Sequence, residues 1–284
     1  MLKEQNLAKY TWLRVGGNAE YLYEPQNKEE LQNFLKTNKL PITIIGGGSN
    51  LLIRDGGIKG VTIIVKFEGI EFDGDILKVK AGTLNSKIYN FCKNNNIGGY
   101  EFLGTIPGTI GGAVRGNAGC YKSEIKDFTI DVETINFDGN IKKYSNADCN
   151  FEYRKNNLSN DLIFTEISLN AGIKSTKNEI ENKFNEYMQK RKETQPVGEK
   201  TAGSTFKNPI EMPAWKVIQE LGWQNKEIDG TKMSEKHANF LINTGKARAK
   251  SVENLINSII KDAKEKLKID LELEIKIVGE KNNG

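Results

Sequence analysis

The chain has 284 residues, of which 37% are hydrophobic and 27% are charged, and its formal net charge at pH 7 is only +4. This length predicts two or three packed units with separate cores, and the composition is not that of a disordered chain. The excess of positive charge is small and spread along the sequence, so no binding to nucleic acid is expected.

The three cysteines, Cys92, Cys120 and Cys149, form no Cys-x-x-Cys pair, so neither a disulfide framework nor a metal site is expected. Residues 1–14 lack the apolar run of a signal peptide, and no segment is apolar for long enough to cross a bilayer. These features predict a cytoplasmic protein in a reducing compartment, without membrane contact.

The first third of the chain alternates apolar runs with amphipathic stretches. Its pattern predicts, in order, a strand over Glu20–Pro25, a helix over Lys28–Asn38, and strands over Pro41–Ile45, Leu51–Ile53 and Val61–Phe67. This alternation is typical of a mixed α and β fold, and glycines separate the third element from the fourth.

Two Asp-Gly pairs, Asp73-Gly74 and Asp138-Gly139, each lie between short apolar runs and predict β-hairpins. The predicted hairpin strands are 70–72 with 76–79 and 131–137 with 141–144. Between the hairpins, Asn85 is predicted to cap a short helix that Gly98 ends, with Ile88, Phe91 and Cys92 directed inward.

The glycine-rich region 104–119 shows no sustained periodicity and is predicted to be a loop that faces a ligand. A strand over Leu162–Leu169 follows, and an amphipathic helix begins near Thr176, where we place a domain boundary. The C-terminal part predicts a helix over Ser251–Leu267 and an alternating strand over Leu271–Val278.

The buried strand that ends at Ile45 runs directly into three glycines and two small polar residues. Glycine lets backbone N–H groups approach phosphate oxygens closely, so this first glycine loop is a candidate anion cradle. Its residues are Gly46, Gly47, Gly48, Ser49 and Asn50. The alternative is a tight turn between two strands. The loop matches neither the Rossmann nor the P-loop pattern.

A second glycine loop, together with the first, suggests a long ligand that contains a diphosphate. It consists of Pro107, Gly108, Thr109, Gly111, Gly112 and Ala113, followed by Asn117 and Gly119. Pro107 restricts the backbone, while Thr109 and Asn117 offer hydrogen bonds. A structural loop is the alternative for either segment taken alone.

Six segments spread along nearly the whole chain resemble, in the same order, the UDP-N-acetylenolpyruvoylglucosamine reductase family. They are the two glycine loops, Thr11-Trp12-Leu13-Arg14-Val15-Gly16-Gly17, Tyr153-Arg154, Gly203-Ser204-Thr205-Phe206-Lys207-Asn208-Pro209 and Ser234-Glu235-Lys236-His237-Ala238-Asn239-Phe240. The length resembles that of the shorter branch of this family, which lacks an added loop over the substrate.

The resemblance implies an α+β fold with a vanillyl-alcohol-oxidase-like (PCMH-type) FAD-binding domain and a C-terminal α+β substrate-binding domain. The FAD-binding domain is expected over 1–175, with two α+β subdomains at about 1–67 and 68–175, and the substrate-binding domain over 176–284. It also implies noncovalent FAD, because the first glycine loop contains no histidine that could attach a flavin. NADPH is the implied hydride donor, UDP-N-acetylglucosamine enolpyruvate the implied substrate, and a monomer the expected state.

The resemblance also assigns roles to individual residues. Ser204 is implied as the proton donor, and Arg154 as the group that polarises the substrate carboxylate. Glu274 is implied as the acidic partner of Arg154, whereas periodicity alone does not choose between Glu274 and Glu272. The implied substrate-binding residues are Tyr153, Lys192, Lys207 and Asn208. His237, the only histidine, has no assigned role.

Two positions depart from the family pattern. Asn156 stands where the family usually carries a serine, and Arg115-Gly116 stands where an aromatic residue and a methionine are common. One alternative function is an FAD-dependent oxidase of the same fold that acts on another substrate. Another is a noncatalytic nucleotide-binding module, which the presence of Ser204, Arg154 and Glu274 argues against.

Overall fold

The computed structural model describes residues 1–282. The helices are α1 (Lys28–Thr37), α2 (Asn85–Asn94), α3 (Glu101–Thr105), α4 (Ile110–Arg115), α5 (Asn146–Cys149), α6 (Lys177–Thr194), α7 (Ala214–Glu220) and α8 (Ala249–Asp262). A π-helical turn over Ala263–Leu267 continues α8, and 3₁₀ turns occupy Ala8–Tyr10 and Ile125–Asp127.

Most strands are short and lie between the helices in sequence. They are β1 (Leu2–Asn6), β2 (Asn18–Tyr23), β3 (Ile42–Ile45), β4 (Leu51–Ile53), β5 (Ile58–Ile64), β6 (Ile70–Phe72), β7 (Ile76–Lys80), β8 (Ile97–Gly98), β9 (Gly119–Cys120), β10 (Ser123–Glu124), β11 (Thr129–Asn136), β12 (Ile141–Ser145), β13 (Leu162–Asn170), β14 (Ile173–Lys174), β15 (Thr201–Ser204), β16 (Glu227–Ile228), β17 (Thr231–Met233), β18 (Phe240–Asn243) and β19 (Lys276–Val278).

The chain forms two compact units that are interleaved in sequence. The first unit contains residues 1–22, 48–62 and 191 onward, and the second contains residues 23–47 and 63–190. The division falls within β2 and within β5. It does not test which ligand each half binds, so the predicted FAD-binding and substrate-binding domains remain predictions.

The first unit is built on an antiparallel sheet with strand order β15-β18-β17-β16, and its core includes buried residues of α7 and α8. Leu255, Ile256 and Ile259 are buried at helical spacing on α8, which explains the amphipathic pattern predicted there. Strand β19 pairs in parallel with β4, so the C-terminal strand lies beside the residues that follow the first glycine loop.

The second unit contains an antiparallel sheet with strand order β12-β11-β13-β7-β6. Its central strand β13 is almost wholly buried, and Ile163, Ile167 and Leu169 are each fully buried. Both predicted hairpins are confirmed, because β6 pairs with β7 and β11 pairs with β12. The pairing follows the strong turn preference of Asp-Gly.

Helix α1 is confirmed and begins after Asn27, whose side chain accepts a hydrogen bond from Glu30 N at 2.9 Å. Helix α6 also begins where predicted. There, Thr176 and Glu179 exchange hydrogen bonds as a capping box.

Three predictions of local structure were wrong. Asn85 is the first residue of α2 and not its cap, because Leu84 holds the N-cap position, and the Asn85 side chain instead donates from Nδ2 to Ile106 O at 3.1 Å. Helix α2 ends at Asn94, before Gly98. The region 104–119 contains the end of α3 and the whole of α4. Adjacent glycines hid the helical periodicity of α4, whose position is set by long-range backbone bonds such as Gly111 N to Ala81 O at 3.0 Å.

The third wrong prediction is the length of the final strand, because only β19 is regular. The predicted alternation is present nonetheless, with Leu271 and Ile275 buried and Glu272 exposed. Residues 272–274 instead bond irregularly to the segment at 205–207, through contacts such as Lys207 N to Glu272 O at 2.8 Å. An alternating pattern reports which face is buried, and it does not ensure a regular ladder.

Candidate active site

The two predicted glycine loops lie against each other within the second unit. A Cβ atom added at Gly46 would lie 3.0 Å from Thr109 Oγ1, and one added at Gly47 would lie 2.7 Å from Gly108 Cα. The second distance is shorter than real Cβ contacts allow, so the absence of a side chain at Gly47 is what permits this approach. The structure therefore brings together two segments that are about 60 residues apart in the sequence.

Gly48 begins the part of the loop that belongs to the first unit. Its φ is +62°, and an added Cβ atom would lie 1.9 Å from Tyr10 O. Its carbonyl oxygen also accepts a hydrogen bond from Trp12 N at 3.0 Å. The requirement for glycine at this position is therefore explained by packing alone, whatever the loop binds.

Backbone hydrogen bonds from neighbouring elements hold the second glycine loop. Asn85 N donates to Gly108 O at 3.0 Å, and Ile110 N donates to Thr83 O at 2.9 Å. Thr109, which is buried, precedes α4 at the N-cap position. These contacts fix the position of the loop and the orientation of the first turn of α4.

Two observations fit a bound dinucleotide at this loop. A Cβ atom added at Gly112 would meet only Thr109 Oγ1, at 3.7 Å, so protein packing does not require glycine there and the space is open. In addition, Asn85 Oδ1 is a buried acceptor without a hydrogen-bond partner in the described residues. An open glycine in the first helical turn and an unsatisfied acceptor beside the loop are features that a ligand would use.

Asn117 does not present a free side chain to a ligand. It is fully buried, and its Nδ2 donates to Glu152 O at 2.9 Å and to Glu124 Oε2 at 3.2 Å. Its Oδ1 accepts from Lys126 N at 3.3 Å. The amide thereby joins the β9–β10 hairpin to the turn that carries Arg154, and its predicted role toward a cofactor remains a prediction.

Arg154 lies in a tight turn closed by backbone bonds between Glu152 and Lys155. Its own φ is +57°, and its guanidinium lies over the ring of Tyr153, with Cζ 4.9 Å from the ring centroid. Nη2 donates to Gly119 O at 2.8 Å, and Nη1 lies 3.6 Å from Glu124 Oε1. A guanidinium that is oriented in this way and only partly exposed is suited to binding a carboxylate.

Glu124 is a contact of Arg154 that the sequence analysis missed. Its carboxylate also receives a hydrogen bond from Asn117 and lies 2.7 Å from Lys126 Nζ. In the sequence Glu124 is one acidic residue among 37 acidic residues. Only the return of the β9–β10 hairpin places it beside Arg154.

Ser204 and Glu274 are brought close together within the first unit. Ser204 is the half-buried last residue of β15, and Glu274 N donates to the carbonyl oxygen of the next residue, Thr205, at 2.9 Å. Asn50 joins the same cluster, because its Nδ2 donates to Ala202 O at 2.9 Å and its carbonyl accepts from Lys276 N at 3.1 Å. Ser49, also half-buried, precedes Asn50 in the loop.

The predicted substrate-binding residues of the first unit lie on different segments. Lys207 Nζ is 3.1 Å from Glu272 Oε2, and Asn208 Oδ1 accepts from Ala214 N at the start of α7. Lys192 is exposed near the end of α6, and its carbonyl accepts from Lys236 Nζ. Tyr153 and Arg154 belong to the second unit. The roles of all five residues remain predictions.

His237 contacts neighbouring residues of its own turn. Its Nδ1 accepts from Asn239 N at 3.3 Å, and its ring packs edge-on against Phe240. Burial lowers the pKa of His237 below its usual value, because desolvation penalises the charged form. The imidazole is therefore neutral at physiological pH and helps to shape the turn before β18.

Within residues 1–282, no helix is long and apolar enough to cross a membrane. In the same range, no cluster of three or more His, Cys, Asp or Glu residues could hold a metal ion.

Two known protein families match this chain, one in its N-terminal half and one in its C-terminal part. Residues 19–145 match a family described as FAD binding domain, and residues 195–278 match one described as UDP-N-acetylenolpyruvoylglucosamine reductase, C-terminal domain. The predicted fold class, with its FAD-binding domain followed by a C-terminal domain, is thereby confirmed.

Relatives match over almost the full length. A UDP-N-acetylenolpyruvoylglucosamine reductase of Rickettsia akari (strain Hartford) is 45% identical, over 98% of this chain and 95% of the relative. The protein of the same name from Rickettsia felis is also 45% identical, with the same coverage. The crystal structure of the corresponding reductase (MurB) from Thermus caldophilus superposes with a TM-score of 0.85 at 34% identity, covering 98% of each chain.

Proposed function

Because the chain belongs to the UDP-N-acetylenolpyruvoylglucosamine reductase family and is an oxidoreductase, we propose that it reduces UDP-N-acetylglucosamine enolpyruvate to UDP-N-acetylmuramate with NADPH. The observation that carries this proposal is the 45% identity over 98% of the chain. The reaction would supply a precursor of peptidoglycan, and so serve cell-wall growth, cell shape and division. We further propose that the enzyme acts as a cytoplasmic monomer.

The residues of the two glycine loops fit noncovalent FAD, which would supply hydride transfer from NADPH to the enolpyruvyl group when bound. Gly46 allows the first loop to pack on Thr109 and Gly47 allows it to pack on Gly108, while Gly112 leaves the first turn of α4 open. Ile110 N and Gly111 N already donate to Thr83 O and Ala81 O, so we propose that the diphosphate approaches the open backbone at Gly112. We propose Gly46 to Asn50, Pro107 to Thr109, Gly111 to Ala113, Asn117 and Gly119 as the residues around this cofactor.

Ser204 is proposed to donate the proton that completes the reduction. A serine hydroxyl is a poor acid in water, so this role needs a site from which most water is excluded. Ser204 is half-buried in a turn held by Asn239, which accepts from Thr205 N through its carbonyl and donates to Phe206 O through Nδ2. This packing supports a fixed backbone position for Ser204.

Arg154 is proposed to bind the substrate carboxylate and to stabilise the negative charge that develops there. Its orientation by Gly119 O and Glu124 supports this role. Glu274 is proposed to act with Arg154 as the acidic group of the site. Tyr153, Lys192, Lys207 and Asn208 are proposed to bind the sugar nucleotide, in which cationic and amide donors suit the diphosphate and the sugar hydroxyls.

The proposal can be tested by anaerobic stopped-flow spectroscopy of the two half-reactions. NADPH should bleach the flavin absorbance near ~450 nm, and UDP-N-acetylglucosamine enolpyruvate should restore it without oxygen. Ser204→Ala should leave the first step nearly unchanged and slow the second by about 10²–10⁴-fold, the usual contribution of a general acid.

Ser258→Ala is a matched control, because it removes the same hydroxyl group from a half-buried position of α8, where the hydroxyl donates to Asn254 O. Both half-reactions should then match the wild type. A wild-type flavin that stays reduced until air enters would contradict the proposed function. Equal slowing of both half-reactions in Ser204→Ala would contradict only the role given to Ser204.

A further inference from the structure

Arg115, the last residue of α4, is a partly buried cation whose guanidinium binds backbone carbonyl groups. Its Nη1 donates to Leu158 O at 3.2 Å and Ser159 O at 3.1 Å, and its Nη2 donates to Leu162 O at 2.5 Å. The guanidinium also lies over Phe164, with Cζ 4.1 Å from the ring centroid. Burial lowers the pKa of Arg115 to about 10, so the side chain remains charged at neutral pH.

Asn156 makes the reverse set of contacts. Its Nδ2 donates to Val114 O at 2.9 Å and to Arg115 O at 3.2 Å, which are carbonyl groups at the C-terminal end of α4. Its Oδ1 accepts from Leu158 N at 3.1 Å. Asn156 is buried, so these bonds form away from competing water.

Together, the side chains of Arg115 and Asn156 form a clamp between α4 and the segment 156–162. Arg115 reaches from the helix to the carbonyl groups of the segment, and Asn156 reaches from the segment to the carbonyl groups of the helix. Each side chain thereby binds backbone carbonyl groups of the other element, and because Asn156 and Leu162 are buried, losing either side chain would cost more than one exposed hydrogen bond. Both residues depart from the pattern of the family that the chain resembles.

The clamp begins two residues after Arg154, whose backbone conformation needs external support. The left-handed φ of +57° is unfavourable for arginine, and such conformations persist where surrounding contacts impose them. Within the turn itself, two paired bonds between Glu152 and Lys155 close the backbone, at 2.9 and 3.3 Å. On the other side of the clamp, α4 forms the middle of the second glycine loop, between Thr109 and Asn117.

We propose that Arg115 and Asn156 are positioning residues that anchor the turn of Arg154 to α4, so that Arg154 keeps a fixed place relative to the second glycine loop. This inference rests on the proposed role of Arg154 toward the substrate carboxylate. The clamp acts on the substrate only through Arg154. Its loss should therefore slow reoxidation of the flavin by the sugar nucleotide and spare reduction by NADPH.

The test uses the complete holoenzyme and a double-mutant cycle between Arg115 and Arg154. Arg115→Lys keeps the charge but replaces the two donor nitrogens of the guanidinium with one ammonium nitrogen, and it should slow reoxidation by at least about 10-fold with reduction changed less than about twofold. In an Arg154→Ala background the same substitution should have no further effect on reoxidation, because its action passes through Arg154. Asn156→Ser should behave in the same way and gives a second, milder perturbation if Arg115→Lys loses its flavin.

Lys155→Met is the matched control. Lys155 is adjacent to Arg154 and carries the same charge, but it is half exposed and lies 3.9 Å from Glu152 outside the clamp. It should leave both half-reactions unchanged. Normal reoxidation in Arg115→Lys and Asn156→Ser, or an undiminished effect in the Arg154→Ala background, would overturn the inference. If the wild type itself is not reoxidised by the sugar nucleotide, the proposed function fails instead.

Discussion

The close packing of the two glycine loops makes Gly47 a sensitive position for both folding and cofactor binding. A Cβ atom in Gly47→Ala would lie 2.7 Å from Gly108 Cα and 3.2 Å from Thr109 N, which are backbone atoms that cannot rotate away. To restore an ordinary contact of 3.4 Å, the loops would have to separate by roughly 0.7 Å. Overpacking of this kind costs about 1–3 kcal/mol, so the apoprotein should lose that much unfolding free energy.

Gly112→Ala is the informative counterpart, because the added methyl group meets only Thr109 Oγ1 at 3.7 Å. In a helix, alanine is favoured over glycine by about 0.5–1 kcal/mol, so the apoprotein should be as stable as the wild type or slightly more stable. If FAD approaches the first turn of α4, the same methyl group should weaken its binding. A cost of about 1–3 kcal/mol corresponds to a dissociation constant roughly 5–150-fold higher.

Both variants can be compared after removal of the flavin. Urea unfolding of the apoproteins gives the free energies, and quenching of flavin fluorescence on titration gives the affinities. We expect Gly47→Ala to lower both quantities and Gly112→Ala to lower only the affinity. An apoprotein of Gly47→Ala as stable as the wild type would refute the packing argument, and unchanged FAD affinity in Gly112→Ala would refute the approach of the cofactor to α4.

Two further predictions concern the first unit. Lys207→Met should change the unfolding free energy, measured by urea unfolding, by less than about 0.5 kcal/mol, because its partner Glu272 is exposed. In steady-state kinetics it should raise KM for the sugar nucleotide about 10-fold, because a cation is lost. The control Lys216→Met should change neither the unfolding free energy nor KM. Because burial lowers the pKa of His237, the unfolded chain binds more protons than the folded chain just below pH ~6.5, so stability should fall on acidification through that range. Urea unfolding at pH 7.5 and ~5.5 measures this loss of unfolding free energy, and the loss should be smaller in His237→Asn. An identical pH dependence in both proteins would contradict the attribution of this effect to His237.

Many local elements could be predicted from the sequence because their determinants lie within a few residues. Asp-Gly specifies a tight turn through its own backbone preferences, and α1 is specified by Asn27 and the spacing of Leu31 and Leu35. The same reasoning failed for α4, because glycines give no side-chain periodicity. It also failed for the last strand, where residues 271–275 alternate without forming a regular ladder.

In the candidate site, too, some features could be predicted from the sequence and others could not. The composition of the sequence by itself singled out the two glycine loops, because each is a contiguous segment rich in glycine, whereas Ser204 and Arg154 were singled out by the resemblance to the reductase family. Only the tertiary structure decided that Gly47 packs on Gly108, and that Glu124 lies beside Arg154. These contacts join residues distant in sequence or brought together by a hairpin's return. They depend on how β-strand pairing and core packing close the chain, and no local preference encodes that closure.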